Sequence, residues 1–494
     1  MATYLGLAAA TSLLVPLVLL VLLRVRVALS LNLSRRAGRK RTLGFLHPYC
    51  NDGGGGERVL WVAIRDLVAR GLVDPARWRV VVYTGDAVTP DEIRAHALRR
   101  FGVEPPPSVE FVYLGSRGWI EPSRYPVATL VGQALGSVVL AAEALFRAPP
   151  DVLVDTTGLA YCFPLVRAAG VRHLACYVHY PIVQTEMLGA VASRKAAHNN
   201  AAFFARSALR SALKLGYYRL LIMLYSLAGG RAHTVMANGT WTAAHLRSMW
   251  RGAVRVVFPP CDTSALQALP LQPRPGGGRL ILSVAQFRPE KDHALQLEAF
   301  ALLVARWREA GAPAPAPALV LAGAVRHAAD QARLEALRAH AARLGLAGNG
   351  GSGGADGGGG SGGGSGGDGD LVQFAPNLSV AELHKLLGRA AAGLHTMWNE
   401  HFGIGVVELM AAGVPPIAHD SGGPALDIVA RGETGLLATS AAQYADAMEQ
   451  LLLARGAEPR RRAMAAAARA AVEHRFSEAA FSDGFCDALA PALA

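Results

Sequence analysis

Paired cysteines and the usual nucleotide-loop signatures are scarce in this 494-residue chain, and each shortage argues against a class of protein. The five cysteines, Cys50, Cys162, Cys176, Cys261 and Cys486, are odd in number, widely scattered and never spaced C-x-x-C. That argues against a disulfide-stapled scaffold and a zinc cluster, and suits a reducing compartment. The one glycine run that precedes a helical pattern near the start, "HPYCNDGGGGERVLWVAI", lacks the Lys-Ser/Thr of a P-loop and the G-x-G-x-x-G spacing of a dinucleotide fold. Acidic residues are outnumbered 37 to 49, so the net charge is +12. Such a balance draws anions: phosphates, nucleotides or an acidic membrane surface. With 52% hydrophobic residues the chain can fill a core, and its length exceeds one comfortable domain, so two core-forming units are expected.

Charge is absent from Met1 to Leu23, a run containing "LLVPLVLLVLL" and about as long as the ~20 residues that cross a bilayer. No basic residue precedes it and no clear small-x-small cleavage site follows before the arginines, so residues 1–28 read as a transmembrane anchor rather than a cleaved leader. Arg24, Arg26, Arg35, Arg36, Arg39, Lys40 and Arg41 all lie on its C-terminal side. By the positive-inside rule the remaining chain faces the cytosol.

Beyond Thr42, short Val-rich runs ending in Gly or Pro alternate with helical patterns: "TLGFLHPY", "WRVVVYTG", "VEFVYLG", "DVLVDTTG", "HLACYVHYP", "HTVMANG" and "VRVVFPP". A second series runs through "RLILSVAQF", "ALVLAGAV", "LVQFAP", "AAGLHT", "VPPIAH" and "TGLLAT", after the linker "LPLQPRPGGG". Buried parallel strands joined by helices have this appearance. The expectation is two doubly wound α/β domains, residues 42–268 and 276–475, with ligands at the carboxyl ends of the strands. Residues 476–494 form a C-terminal helix. Residues 347–370 are a Gly-rich insertion that cannot pack a core, and its Asp368-Gly-Asp370 mimics a metal-holding D-x-D without the fixed geometry a metal needs. Two further apolar stretches, "VATLVGQALGSVVLAAEALF" and "GYYRLLIMLYSLAGG", are interrupted by Glu143 and Arg219 and read as buried or membrane-surface helices, not spans.

Four places carry candidate chemistry. Gly53, Gly54, Gly55 and Gly56 let backbone N–H groups approach a ligand at a helix start, where an anion is favoured, with Asp52 and Arg58 beside them. His179 ends a strand in "CYVHYP", where a cleft residue would sit. Arg288 and Lys291 in "QFRPEKDH" are three apart and could converge on one phosphate. Glu400 and Glu408 lie eight apart in "HTMWNEHFGIGVVELMAAGVPPIAHDSGG". On a continuous helix that spacing covers about 12 Å. It is too long for two carboxylates flanking one glycosidic bond, which sit ~5–9.5 Å apart, and it suits the two ends of an elongated ligand with a diphosphate near the helix start.

These segments together resemble the retaining GT-B glycosyltransferases of the E-x7-E type, glycosyltransferase family 4. More narrowly they resemble the asparagine-linked glycosylation α-1,2-mannosyltransferases, which extend dolichyl-diphosphate-linked oligosaccharide from three to five mannoses with GDP-mannose. "FLHPYCNDGGGGERVLW", "CYVHYPIVQTEML", "PPCD", "LSVAQFRPEKDH" and "GLHTMWNEHFGIGVVELMAAGVPPIAHDSGGPALDIV" carry the likeness, in order, from Thr42 to about Ala430. The resemblance implies that Glu400 contacts the donor mannose and Glu408 the ribose of GDP. It implies that Arg288 and Lys291 neutralise the leaving diphosphate, helped by the backbone of Phe402, Gly403 and Ile404. His179 would sit near the reacting sugar, the Gly53–Gly56 loop against phosphates and acceptor, with Asp52 and Arg58 helping to place the acceptor, and Ser421, Gly422 and Gly423 would shape the donor side. It further implies no metal or other cofactor, an endoplasmic reticulum membrane location with a cytosolic body, other mannosyltransferases of the pathway as partners, and no nucleic acid. Three alternatives stay open on the sequence: a membrane-associated GT-B transferase with another nucleotide sugar or lipid acceptor, a non-catalytic subunit of a glycosylation complex, and a GT-B-type nucleotide-sugar epimerase.

Overall fold

A computed structural model describes residues 17–32, 38–182, 208–271, 278–346 and 371–494. The Gly-rich insertion, with its Asp-Gly-Asp, lies outside them, as do Arg35 and Arg36. The chain divides into two compact units, the first Met1–Pro260 with Glu478–Ala494 and the second Cys261–Ser477.

In the first unit seven strands form one parallel sheet in the order β3-β2-β1-β4-β5-β6-β7: β1 Arg41–Leu46, β2 Trp78–Thr84, β3 Val109–Tyr113, β4 Val152–Asp155, β5 His173–Val178, β6 Thr234–Ala237 and β7 Val254–Val256. The second unit has six parallel strands in the order β10-β9-β8-β11-β12-β13: β8 Leu280–Val284, β9 Ala318–Gly323, β10 Val372–Pro376, β11 Ala392–His395, β12 Pro416–His419 and β13 Leu436–Ala438. Every one of the thirteen expected runs is a strand. β1, β4 and β5 are buried nearly throughout, because helices cover both faces; this is why they read as continuous apolar runs rather than alternating ones. Both sheets reverse strand order at one point, between β1 and β4 in the first and between β8 and β11 in the second. Crevices form there, beyond the carboxyl ends of the strands, because adjacent connections leave to opposite faces.

The C-terminal helix, Glu478–Leu493, is no appendage of the second unit. Phe481, Phe485 and Leu489 are buried with Trp61 and Tyr177 in the first unit's core. Burying such side chains contributes about 1.5–3 kcal/mol each, which ties the chain's end to its beginning. The first crossing also falls earlier than expected, at Pro260 rather than 268; Arg469 donates to the carbonyl of Leu269 at 2.8 Å, holding that stretch to the second unit.

Residues 17–32 are helical. Leu23, Val27 and Leu31, spaced by four, pack into the first unit, whereas Leu17, Leu19, Leu22 and Leu29 are exposed. The helix Thr129–Arg147 is long and apolar enough by composition to cross a membrane, yet Leu140, Ala141, Ala144 and Leu145 are core residues. Its Glu143 accepts from the N–H groups of Gly115 at 3.0 Å and Ser116 at 2.9 Å. The opposite face leaves Leu135, Val139 and Phe146 exposed, and Leu220, Met223, Leu224 and Leu227 of the helix Ala208–Gly229 are exposed too. All five cysteines are buried free thiols.

Candidate active site

The second unit's switch point joins two loops that sequence spacing does not relate. After β8 the chain makes a single turn, Pro289–Lys291, and enters the helix His293–Glu309, capped by the Asp292 side chain. After β11 it runs through Thr396 to Gly403 before the helix Ile404–Ala411. Thr396 Oγ1 donates to the carbonyls of Lys291 and Asp292 at 2.8 and 3.1 Å and accepts from Gln296 Nε2 at 2.8 Å, fastening one loop to the other. Lys291 Nζ then lies 2.7 Å from Glu400 Oε2 and 3.1 Å from Met397 Sδ. Asp292 and Asn399, each next to a member of that pair, have left-handed backbones with φ of 44° and 51°. Non-glycine residues take that conformation at a cost, and such strain gathers at ligand sites.

Burial alone would raise the Glu400 carboxyl, but His395, with Nε2 at 3.5 Å, and the charge of Lys291 outweigh it and bring the pKa down to about 2. Glu400 is therefore an anion at any physiological pH. Behind it, Ser421 Oγ accepts from the N–H of Asn399 at 2.8 Å, and the N–H of Gly423 donates to the Glu400 carbonyl at 2.7 Å. Gly422 sits at φ +61°, and a Cβ there would stand 2.3 Å from the Glu400 carbonyl oxygen. Gly422→Ala is thus expected to push the Glu400 backbone outward and to lower kcat on the order of 10²-fold, the cost of about 1 Å of misplacement. Steady-state kinetics on a variant of parental melting temperature check this; unchanged kcat removes the shaping role of the Ser421–Gly423 turn.

The helix arithmetic for the two glutamates needs correction. Only Glu408 is helical; Glu400 precedes the helix, which begins at Ile404 because Gly403, at φ 110°, ends the loop in a conformation closed to most side chains. Phe402 is buried edge-to-face on Phe476, with centroids 5.7 Å apart. Val406 donates its N–H to the Gly403 carbonyl at 2.9 Å, so the donors with no acceptor further back in this helix are the N–H groups of Ile404 and Gly405. Arg288 is less converged than the spacing suggested: its guanidinium is 4.0 Å from Glu290, while Lys291 turns to Glu400.

In the first unit a cavity of about 670 Å³ occupies the other switch point. His47 follows β1 and Thr156 follows β4, and His47 Nδ1 meets Thr156 Oγ1 at 2.7 Å across it. His179, half-buried after β5, lines the same cavity with Asp52, Gly54, Gly56 and Glu57. Its Nε2 is buried with no hydrogen-bond partner among the described residues. Burial, and for His47 the neighbouring charge of His179, depress the two pKa values to about 3 and about 4. Both rings are neutral near pH 7.

Two expectations about the glycine run change. Gly55 and Gly56 already belong to the helix Gly55–Ala69, and the N–H of Gly54 donates to Glu57 Oε1 at 3.0 Å. The group that accepts at this helix start is therefore the protein's own carboxyl, its pKa raised by burial to about 7. Arg58 points elsewhere: it pairs with Glu478 and donates to the Phe101 carbonyl at 3.2 Å, holding the C-terminal helix rather than an acceptor.

A family model for the ALG11 mannosyltransferase N-terminus matches residues 40–250, and one for glycosyl transferases group 1 matches residues 367–471. The mouse protein called GDP-Man:Man(3)GlcNAc(2)-PP-Dol alpha-1,2-mannosyltransferase is 42% identical over 430 residues, 86% of this chain and 82% of that protein. The human protein of the same name is 41% identical over 92% of this chain and 87% of its own length. The chain belongs to this mannosyltransferase family. Among solved structures, a UDP-forming α,α-trehalose-phosphate synthase from Burkholderia xenovorans superposes with a TM-score of 0.60 at 14% identity, covering 91% of this chain and 98% of that one. The sucrose-phosphate synthase of Thermosynechococcus elongatus gives 0.57 at 19%, covering 90% and 96%. Those two likenesses bear on the fold alone, and they agree with the GT-B expectation.

Within this mannosyltransferase, sequence reasoning missed His395, His47 and Glu57. His395 stood beside the glutamate motif at the end of an expected strand, a signal as good as the one that picked out His179. The neutral histidines have a measurable consequence. Their folded pKa values lie below the ~6.5 of an exposed imidazole, so between those values the unfolded chain binds more protons and stability falls as pH drops from 6.5 toward 4. Glu57 acts oppositely, its contribution being held at low pH and lost as pH rises toward its folded value of about 7. His47→Gln is expected to flatten the acid-side loss by up to about 1.4 kcal/mol per pH unit. Urea midpoints of the solubilised chain at several pH values, parent against variant, check it; identical slopes refute the neutral assignment.

Proposed function

We propose that this chain is a retaining α-1,2-mannosyltransferase that adds the fourth and fifth mannose from GDP-mannose to Man3GlcNAc2-diphosphate-dolichol. It would work at the cytosolic face of the endoplasmic reticulum membrane, anchored by its N-terminal apolar segment. The observation that carries the reading is the Lys291–Glu400 pair at the second unit's switch point, set in a chain about 41% identical to proteins bearing that name over most of their length.

In this reading the second unit holds the donor. Glu400 receives the hydroxyls of the mannose, Glu408 the ribose, and Lys291, Arg288 and the N–H groups of Gly403 and Ile404 balance the diphosphate. The bond from the anomeric carbon to the phosphate oxygen breaks as the acceptor's 2-hydroxyl oxygen attacks the same face, and the departing phosphate takes the hydroxyl proton. Charge stabilisation and positioning supply the catalysis. The first unit's cavity supports the acceptor's place: Tyr49, Tyr161, Tyr180, Asp52, Glu57 and Glu121 line it, and among the described residues no lysine or arginine does. Such a lining suits hydroxyl-rich, uncharged sugar and gives a diphosphate no counter-charge, so the glycine run is assigned to glycan rather than phosphate.

The test is a product count. The purified protein, GDP-mannose and a lipid-linked trimannosyl chitobiose acceptor should yield two added hexoses, removable by an α-1,2-specific mannosidase, with UDP-sugars inert. Turnover of a UDP-sugar, or none with GDP-mannose, overturns the assignment. Because the basic groups are proposed to replace a metal, activity should survive EDTA; loss restored by Mn2+ would refute that part.

A further inference from the structure

A second cavity, about 620 Å³, lies at the opposite end of the first unit's sheet from His47 and His179, against the starts of β1 and β2 and the residues preceding β4. Five cationic side chains line it, Arg26, Arg39, Lys40, Arg79 and Arg147, and among the described residues no aspartate or glutamate does. Arg79 and Arg147 have partners, Glu110 at 2.7 Å and Glu143 at 2.8 Å. Arg26, Arg39 and Lys40 have neither an ion pair nor a hydrogen bond among the described residues. Three uncompensated cations gathered on one concavity repel one another and favour an anion between them.

The helix 17–32 identifies the kind of anion. Arg26 and Ser30 line the cavity from this helix. Leu19 and Leu22, seven and four residues earlier, lie on the same helical face and are exposed by 60% and 59%. The face therefore runs from bare hydrocarbon into a cationic pocket, which is the profile of a single phospholipid lying along the helix with its headgroup at the pocket. On the anchored reading that hydrocarbon faces the bilayer, so the anion carried to the pocket alongside it is a lipid headgroup, with soluble phosphate as the competitor to be tested.

We infer that this cavity binds the headgroup of an anionic phospholipid from the leaflet that the protein body faces, fixing the first unit against the membrane at a site remote from the transfer chemistry. The inference rests on the membrane-anchored reading of the N-terminal segment. Each basic residue near an anionic surface is worth roughly fivefold in affinity.

The full-length protein is to be placed in phosphatidylcholine nanodiscs with or without phosphatidylserine, then released into neutral detergent, with retained lipids counted by native mass spectrometry. Phosphatidylserine should be retained over phosphatidylcholine. The triple variant Arg26→Gln, Arg39→Gln, Lys40→Gln should lose at least about tenfold of that preference, while the charge-preserving pair Arg39→Lys, Lys40→Arg keeps it. Removing Arg455 and Arg460, exposed arginines of the second unit, should change nothing. Equal retention by parent and triple variant overturns the site. Soluble glycerophosphoserine displacing the lipid at equal concentration overturns the lipid as its occupant. A parent that never enters phosphatidylcholine discs overturns the anchor itself, a result distinct from entry without lipid preference.

Discussion

Replacing Lys291 with alanine is expected to lower kcat by about 10²–10³-fold, the usual cost of losing one preorganised charge at a developing anion, while the KM for the lipid acceptor stays near its parental value. The split follows from the structure. Lys291 belongs to the second unit's switch point, where it is half-buried against Glu400 and Met397, whereas the cavity assigned to the acceptor lies in the first unit and is lined without it. Lys291→Arg should rescue poorly, because a planar fork cannot occupy the point contact of an ammonium between Glu400 and a thioether. The variant also leaves Glu400 with His395 as its remaining support, so its carboxyl moves up from about 2. Far-ultraviolet circular dichroism and the melting temperature establish that the fold survives. An intact protein with unchanged kcat would sink the assignment of Lys291 to the leaving diphosphate.

Glu400→Gln carries the second-largest expected effect, a kcat loss on the order of 10²-fold. Glutamine preserves the shape of the side chain, and the backbone bonds from Gly423 N–H to the residue-400 carbonyl and from Asn399 N–H to Ser421 Oγ remain. What changes is the charge: the amide accepts more weakly from sugar hydroxyls and no longer balances Lys291. The depressed pKa adds a sharper criterion. A carboxylate that titrates near 2 contributes no acid limb between pH 5 and 8, so the pH profiles of parent and variant should run parallel there, offset by a constant factor. An acid limb near pH 6 that disappears in Glu400→Gln would show a protonating carboxyl and contradict the ionised assignment. The double variant with Lys291→Ala should lose less than the product of the two single losses, since the residues are in contact.

The likeness in layout between the two units explains why both sites lie where they do. In each, a residue following the sheet's first strand meets one following the strand across the reversal: His47 with Thr156, and Lys291 with Glu400. The first pairing is neutral and sits in a cavity that no cation lines among the described residues; the second is charged. One topology thus offers two crevices of opposite character, one suited to uncharged glycan and one to a nucleotide diphosphate.

Strand identity, domain number and the glutamate motif were legible from the sequence alone because local physics decides them. A fully buried parallel strand must be apolar along its whole length, so "DVLVD" and "LILSV" announced themselves, and each was punctuated by Gly, Pro or a polar turn. The switch to a helical pattern after Gly403 was equally local, although the start of the helix was placed too early, since glycine at φ 110° is a property of the loop that no periodicity registers. Tertiary structure alone decided which groups act on which. Lys291 and Glu400 are 109 residues apart, and Arg58 was drawn away from the site by Glu478, 420 residues on. Nothing in the glycine run itself said that Glu57 would turn back onto Gly54 and occupy a donor that looked available to phosphate. Sequence fixes what each segment can bury and which charges it can offer; the pairing of those charges depends on desolvation and distance, and both exist only once the sheets have closed.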